Sequence, residues 1–253
     1  STLSSSSAAS DVYKRQRKVV GVFLNSAVHQ PHINTLTAMT HGIRETTDNL
    51  VFLSNSTKYM DCDIAVIFGS WKDRHTKHHL LKKDVVTKHK GDLLVVETPL
   101  LGRTITEDHR YYRVGKGHYM DTLGYFNNKK SNKDRWGIIR TDLGLEIKDW
   151  RKDGKHIMFL MQLPGDAATA NVDILKWLQD EIVKCKKISD RPVRVRMHPL
   201  ISSYDLSKFE EFVEKQKDVS MVFGHKNPIA MDLEDCWATV SFTSGGAVDS
   251  LLA

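Results

Sequence analysis

Residues 156–166 read HIMFLMQLPGD, and this stretch decides the fold. The run from His156 to Gln162 is nearly all apolar, short, and stopped by a Pro-Gly pair. That pattern predicts a strand followed by a loop, Leu163-Pro164-Gly165-Asp166. Beyond the loop, Ile174, Leu175, Leu178 and Ile182 fall on one face of an amphipathic helix. Residues 193–197 then alternate, with Val193, Val195 and Met197 facing one way and Arg194 and Arg196 the other. The two arginines fit structural pairing with helix carboxylates. This strand ends at His198-Pro199. A helix near 206–217 with a Phe209, Phe212, Val213 stripe, a strand at 219–223 and a short helix at 228–234 follow. The last strand, 238–242, runs into Thr243-Ser244-Gly245-Gly246 and a final helix.

Toward the amino terminus the same rhythm recurs. Apolar runs at 19–24, 49–54, 64–68 and 93–97 predict strands, with helices at 33–44 and over the basic stretch 72–90. Strands alternating with polar helical segments indicate βαβ units and a mostly parallel sheet. Residues 102–155 are rich in Gly, Asn, Lys, Arg and Tyr and break the rhythm. They read as substrate-facing loops and a connection, with a short helix near 133–143. The expectation is an α/β protein of two Rossmann-like domains, residues 17–150 and 151–253. The second is expected to be incomplete, since the chain stops at Leu251-Leu252-Ala253 within a helical pattern. Residues 1–16 are serine-rich, lack the apolar core of a signal peptide, and resemble a translated sequencing-adapter scar, so they are set apart from the fold.

The chain has 253 residues, 40% hydrophobic and 27% charged, as in ordinary globular domains. No window approaches 18 consecutive apolar residues, so no membrane span is expected. Three widely spaced cysteines, Cys62, Cys185 and Cys236, form no CxxC pair. They fit a reducing, cytoplasmic setting rather than a disulfide framework or zinc site. The net charge of +6 fits an acidic partner or a lysine-rich solvated face. His29, His32, His75, His78, His79 and His89 lack an HExxH-type pattern, and a solvated basic face is expected, with no metal. Trp71, Lys72, Arg74, Lys77, Lys82 and Lys83 are read the same way, with an anionic acceptor as the other option. P-loop, GxGxxG and GxSxG motifs are lacking from the sequence.

In open parallel sheets, ligands bind outside the carboxyl ends of the strands. Three loops there carry the chemistry of the second half. Ser244-Gly245-Gly246, between a strand and a helix, offers backbone N–H groups to an anion, or is an ordinary turn with Ser244 as N-cap. Asp249 accepts from ribose hydroxyls or simply favours the positive helix end. His198 donates to a phosphate oxygen or protonates a leaving phosphate, or is structural. Asp166 is a general base for an acceptor hydroxyl, or caps the following helix.

Taken in order, Gln162-Leu-Pro-Gly-Asp166, Arg196-Met-His198-Pro199 and Thr243-Ser244-Gly-Gly-Ala-Val-Asp249-Ser-Leu251 resemble the Q-x-P-x-D, R-x-H-P and N-S-x-x-G-x-E-A-L segments of capsule-polysaccharide-type glycosyltransferases of the GT-B fold. The His-Pro and Ser motifs are also similar to those of sialyl- and Kdo-transferases, which use CMP-sugars. The resemblance spans residues 156–253. It implies a metal-independent, cofactor-free glycosyltransferase moving sugar from a nucleotide-sugar donor, CMP-sugar favoured, to a glycan or lipid-linked acceptor. The donor would contact Gln162, Gly165, His198, Pro199, Thr243, Ser244, Gly245, Gly246 and Asp249, with Asp166 and His198 catalytic. The cleft would lie between two domains, with acceptor contacts near residues 111–125. Thr243 stands where the family has Asn, Asp249 where it has Glu, and Ala247 where it often has Gly. Similar proteins occur in phage genomes, which leaves a phage origin open. The alternatives are a phage DNA-modifying glycosyltransferase, with nucleic acid held by the basic first domain, a non-catalytic nucleotide-binding surface-assembly module, and a sugar-nucleotide epimerase.

Overall fold

The computed structural model describes residues 17–71, 75–101, 111–118, 123–126, 131–169, 171–201 and 205–253. The serine-rich leader, Lys72 and Arg74, and much of the 102–130 region where acceptor contacts are expected lie outside the described residues. The chain divides into two compact units, residues 1–99 with 106–132, and residues 100–105 with 133–253. Residues 133–150 thus go with the second unit. At the end of that stretch the Arg151 guanidinium donates to the Leu233 carbonyl at 2.5 Å, and Trp150 shares a hollow with Leu233 and Trp237.

The first unit is a five-stranded sheet, ordered β2-β1-β3-β4-β5. Its parallel members are β1 (Val19–Phe23), β2 (Leu50–Ser54), β3 (Ile64–Phe68) and β4 (Asp92–Glu97). Helices α1 (Gln30–Thr46) and α2 (Lys77–Lys88) connect them. α1 opens with Pro31 in its first turn, where the missing N–H costs nothing. Gly21 of β1 is required by packing, since a Cβ there would stand 2.6 Å from the Phe52 ring of β2.

One strand escapes the sequence reading. β5 (Arg113–Lys116) lies inside the segment expected to be loop, and runs antiparallel on the edge of β4. Its sequence, RVGK, has no apolar alternation to betray it. The ladder to residues 94–97 holds it, and Gly115 allows the chain to fold back, because a Cβ there would overlap the His118 carbonyl oxygen at 2.1 Å. The expected short helix is present as α3 (Arg135–Asp142).

The second unit is a four-stranded, wholly parallel sheet ordered β8-β7-β6-β9. The strands are β6 (His156–Leu160), β7 (Val193–Met197), β8 (Val219–Phe223) and β9 (Cys236–Ser241). All five residues of β6 are buried, as a central parallel strand covered on both faces must be. On one face, α4 (Ile174–Lys186) packs Ile174, Leu178 and Ile182 against Ile157, Phe159, Met161 and the valines of β7, with Phe209 and Val213 of α5 (Ser207–Glu214) beside them. On the other face, Met158 and Leu160 meet Leu233, Cys236, Ile229 of α6 (Ile229–Asp232) and Ala247 of α7 (Gly246–Leu252). Truncating a core side chain such as Leu178 or Phe159 to alanine costs about 2–5 kcal/mol. α4 starts where its cap permits, with the Asp173 carboxylate accepting from the Lys176 N–H at 3.0 Å.

This order defines where a ligand can enter. From β6 the chain steps outward to β7 and β8, then returns to place β9 on the other side of β6. α4, leaving β6, and α7, leaving β9, therefore cover opposite faces. The carboxyl ends of β6 and β9 between them are the topological switch point of a doubly wound sheet, the place where such folds bind ligands. Both units are Rossmann-like α/β domains.

Candidate functional site

Gln162 and Thr243 meet at that switch point. Gln162 follows β6 and Thr243 follows β9, neighbours whose last paired residues are Leu160 and Ser241. The Gln162 amide nitrogen donates to Thr243 Oγ1 at 2.5 Å, and the Thr243 N–H donates to Gln162 Oε1 at 2.9 Å. Gln162 is only 8% exposed. Both ends of its amide are engaged, so this side chain ties two strand ends together at the switch point. Thr243, in place of the asparagine of the resembled family, supplies both partners of that tie.

The loop after Gln162 is a type II turn. Pro164 holds the first corner, Gly165 takes φ +65° at the second, and the Asp166 N–H returns to the Leu163 carbonyl at 3.2 Å. Thr169, buried, clamps the turn by donating its hydroxyl to the Leu163 carbonyl at 2.9 Å. Gly165 is therefore a conformational glycine. Asp166 is half-buried at the head of a 3-10 turn, Ala167–Thr169, and the cap of α4 is Asp173 instead. Asp166 does not cap α4, because seven residues, three of them this 3-10 turn, separate it from the helix start.

His198 stands at the end of β7, on the other flank of β6. Strand spacing puts the ends of β7 and β9 about 10 Å apart, with β6 between. The Leu200 N–H donates to His198 Nδ1 at 3.1 Å, which assigns the proton of the neutral ring to Nε2. The loop is held tightly: the Gly224 N–H donates to the Met197 carbonyl at 3.1 Å, and a Cβ on Gly224 would stand 3.1 Å from the ring of Pro199. Pro199 itself is exposed.

Two residues earlier, Arg196 is 7% exposed and forms a buried ion pair with Asp232 of α6, also 7% exposed. Its second nitrogen donates to the Asn227 carbonyl at 2.9 Å. The structural reading of Arg196 holds, and the pair fastens the strand carrying His198 to the opposite face. Arg194 is exposed.

After β9, the Gly246 N–H reaches the Ser244 hydroxyl at 3.3 Å, and the Ala247 and Val248 N–H groups reach the carbonyls of Ser244 and Gly245. The first turn of α7 thus already uses the amide of Gly246, one of the three expected to hold an anion. Gly245 has ordinary helical dihedrals, φ −59° and ψ −25°. Gly246 is a packing glycine, since a Cβ there would stand 2.7 Å from Ile229 Cδ1 and 3.4 Å from Leu160 Cδ1. Asp249 lies in the first turn of α7, half-buried.

Other groups at the strand ends were not legible in advance. Lys226 and His225 follow β8, with the Lys226 ammonium 5.1 Å from the Phe223 ring centre and the His225 ring 5.7 Å from it. Their signal was a Gly-His-Lys step directly after a strand, next to the His198 loop. In the first unit, a solvated basic face does not describe His79, Lys82 or His89, which are 7%, 5% and 9% exposed. Lys82 donates to the Phe68 carbonyl at 3.2 Å, and His32 stacks on Phe68 at 4.0 Å. His79 and Lys82 sit one turn apart on the flank of α2 that also buries Val85, a spacing that marks them as inward. Burial pushes the Cys62 thiol up, and burial with the Asp61 carboxylate pushes Tyr59 up to about 12, so both stay protonated and neutral. Among the described residues, no group of three or more His, Cys, Asp or Glu could hold a metal ion. No described helix is long and apolar enough to cross a membrane.

No family model matches the chain, and no curated protein matches it. Among solved structures, the chain is similar to the UDP-GlcNAc 2-epimerase of Methanocaldococcus jannaschii, in complex with UDP-GlcNAc and UDP, with 12% identity and a TM-score of 0.32 over 90% of this chain and 79% of that one. A likeness at that score decides nothing about activity here. The fold assignment rests on the two sheets themselves.

Proposed function

We propose that the second unit binds the nucleotide of a sugar donor at the ends of β6 and β9, and that the chain acts as a glycosyltransferase. The observation that carries the reading is the Gln162–Thr243 clamp at the switch point, flanked by a histidine loop on one side and a Ser-Gly-Gly loop on the other. The resemblance of the three loops to capsule-type glycosyltransferases supplies the chemistry, with a CMP-sugar as the favoured donor.

In this reading Ser244 and the Nε2–H of His198 face the phosphate of the donor. The Leu200 N–H on Nδ1 favours a neutral imidazole that donates a hydrogen bond over one that gives up a proton. Charge on the departing phosphate is then stabilised by oriented donors. Asp166 takes the proton of the acceptor hydroxyl as its oxygen bonds to the anomeric carbon and the bond to the phosphate breaks. Asp249 accepts from the ribose hydroxyls, while Gly165, Pro199, Gly245 and Gly246 shape the walls. The test is donor turnover by His198→Ala, with folding checked by circular dichroism. Loss of about a hundredfold or more is expected; unchanged turnover overturns the assignment.

A further inference from the structure

We infer that the ring of Phe242 is the stacking face for the base of a nucleotide bound at this switch point, an inference that rests on the proposed function. β9 and the residues after it deliver side chains alternately to two faces. Thr239 bonds Ser250 of α7 at 2.8 Å, Val240 joins the core on the α4 side, and Phe242 reaches Trp177 of α4. Thr243, one residue on, turns to Gln162. An aromatic ring and the polar clamp are therefore consecutive in the chain at the switch point.

The ring is held but not covered. Phe159, fully buried, meets Trp177 at 6.1 Å and 61°, and Trp177 meets Phe242 at 6.1 Å and 70°. The row runs outward from the core, and its last residue, Phe242, is 40% exposed. Edge-on contact with Trp177 fixes the orientation of Phe242 while leaving ring area to solvent. Leaving an aromatic face wet at a strand's carboxyl end forgoes burial that an apolar interior would give. Every nucleobase has a flat π-face that fills such a surface, and stacking a base on an aromatic side chain contributes to binding.

The test uses the full chain and four probes, CMP, UMP, GMP and ribose 5-phosphate, titrated by calorimetry against the unaltered protein, Phe242→Ala and Phe242→Tyr. Stacking predicts that Phe242→Ala weakens nucleotide binding about tenfold or more. Phe242→Tyr keeps the affinity, and ribose 5-phosphate binds all three proteins alike. Nucleotide binding unchanged in Phe242→Ala, or falling in step with ribose 5-phosphate, overturns the inference while leaving the proposed function standing. Binding of no nucleotide to the unaltered chain overturns both.

Discussion

Gln162 and Thr243, 81 positions apart in the chain, hold each other through two hydrogen bonds at the ends of adjacent parallel strands. One bond uses the threonine side chain and the other its backbone, so replacing Thr243 by valine removes only the first. The buried Gln162 amide then keeps an unsatisfied donor, at a cost of about 1–3 kcal/mol. Chemical denaturation of Thr243→Val and Thr243→Ser tests this. The serine variant should retain most of the stability, and a valine variant that is as stable as threonine while serine is destabilised would mean that the methyl group, not the hydroxyl, matters.

The Arg196–Asp232 pair is buried on both sides, so single and double replacements should diverge. Asp232→Ala leaves a buried guanidinium uncompensated and should cost about 3–5 kcal/mol. Replacing Arg196 by methionine in the same chain removes the stranded charge and should recover much of that loss. A double variant no more stable than Asp232→Ala would contradict the account.

Two glycines of the site loops should respond differently to alanine. At Gly165 nothing lies within 4 Å of a new Cβ, and the cost is the positive φ alone, about 1 kcal/mol. At Gly224 a Cβ would stand 2.8 Å from the Met197 carbonyl oxygen, part of the backbone that carries His198. Gly224→Ala should therefore cost more stability, about 1–3 kcal/mol, and also disturb ligand binding. Thermal melts of the two variants give the order directly.

His156 sets an acid sensitivity. It is 2% exposed, its Nε2 bonds the Asp232 carbonyl at 3.2 Å, and its Nδ1 is buried without a partner. Burial, with the Arg194 charge adding to it, holds this imidazole below its ordinary value of 6.5. The unfolded chain thus takes up a proton before the folded one does. Stability from His156 is fully present above 6.5 and is lost as pH falls through that value toward the lower folded one. Denaturation midpoints between pH 7.5 and 5.5 should decline, and His156→Leu should flatten the decline. The same slope in the variant would assign it to other groups.

Most of the second sheet is legible in the sequence because central parallel strands announce themselves. The apolar run of β6 comes from burial on two faces, and the alternation of β7 from its valines in the core with Arg194 in solvent. The alternation places Arg196 away from the valines, and there Asp232 of α6 meets it in a buried pair, a helix carboxylate as its structural reading expects. β5 is not legible, since an edge strand of four residues is held by its neighbour's ladder rather than its own pattern. The three loops are legible as loops, but not their internal roles. That Gln162 serves Thr243 depends on β9 returning to the side of β6, a fact of topology that no local window contains. The inward turn of His79 and Lys82 is hidden in the same way by a run of basic residues, whose charge suggests solvent throughout.

The most direct test of the account is ligand-observed binding of CMP-, UDP- and GDP-sugars to the full chain and to His198→Ala. The account predicts saturable binding of a nucleotide sugar, with CMP-sugars favoured, and its marked weakening in the variant. Absence of binding by every donor, or equal binding to both proteins, would contradict it.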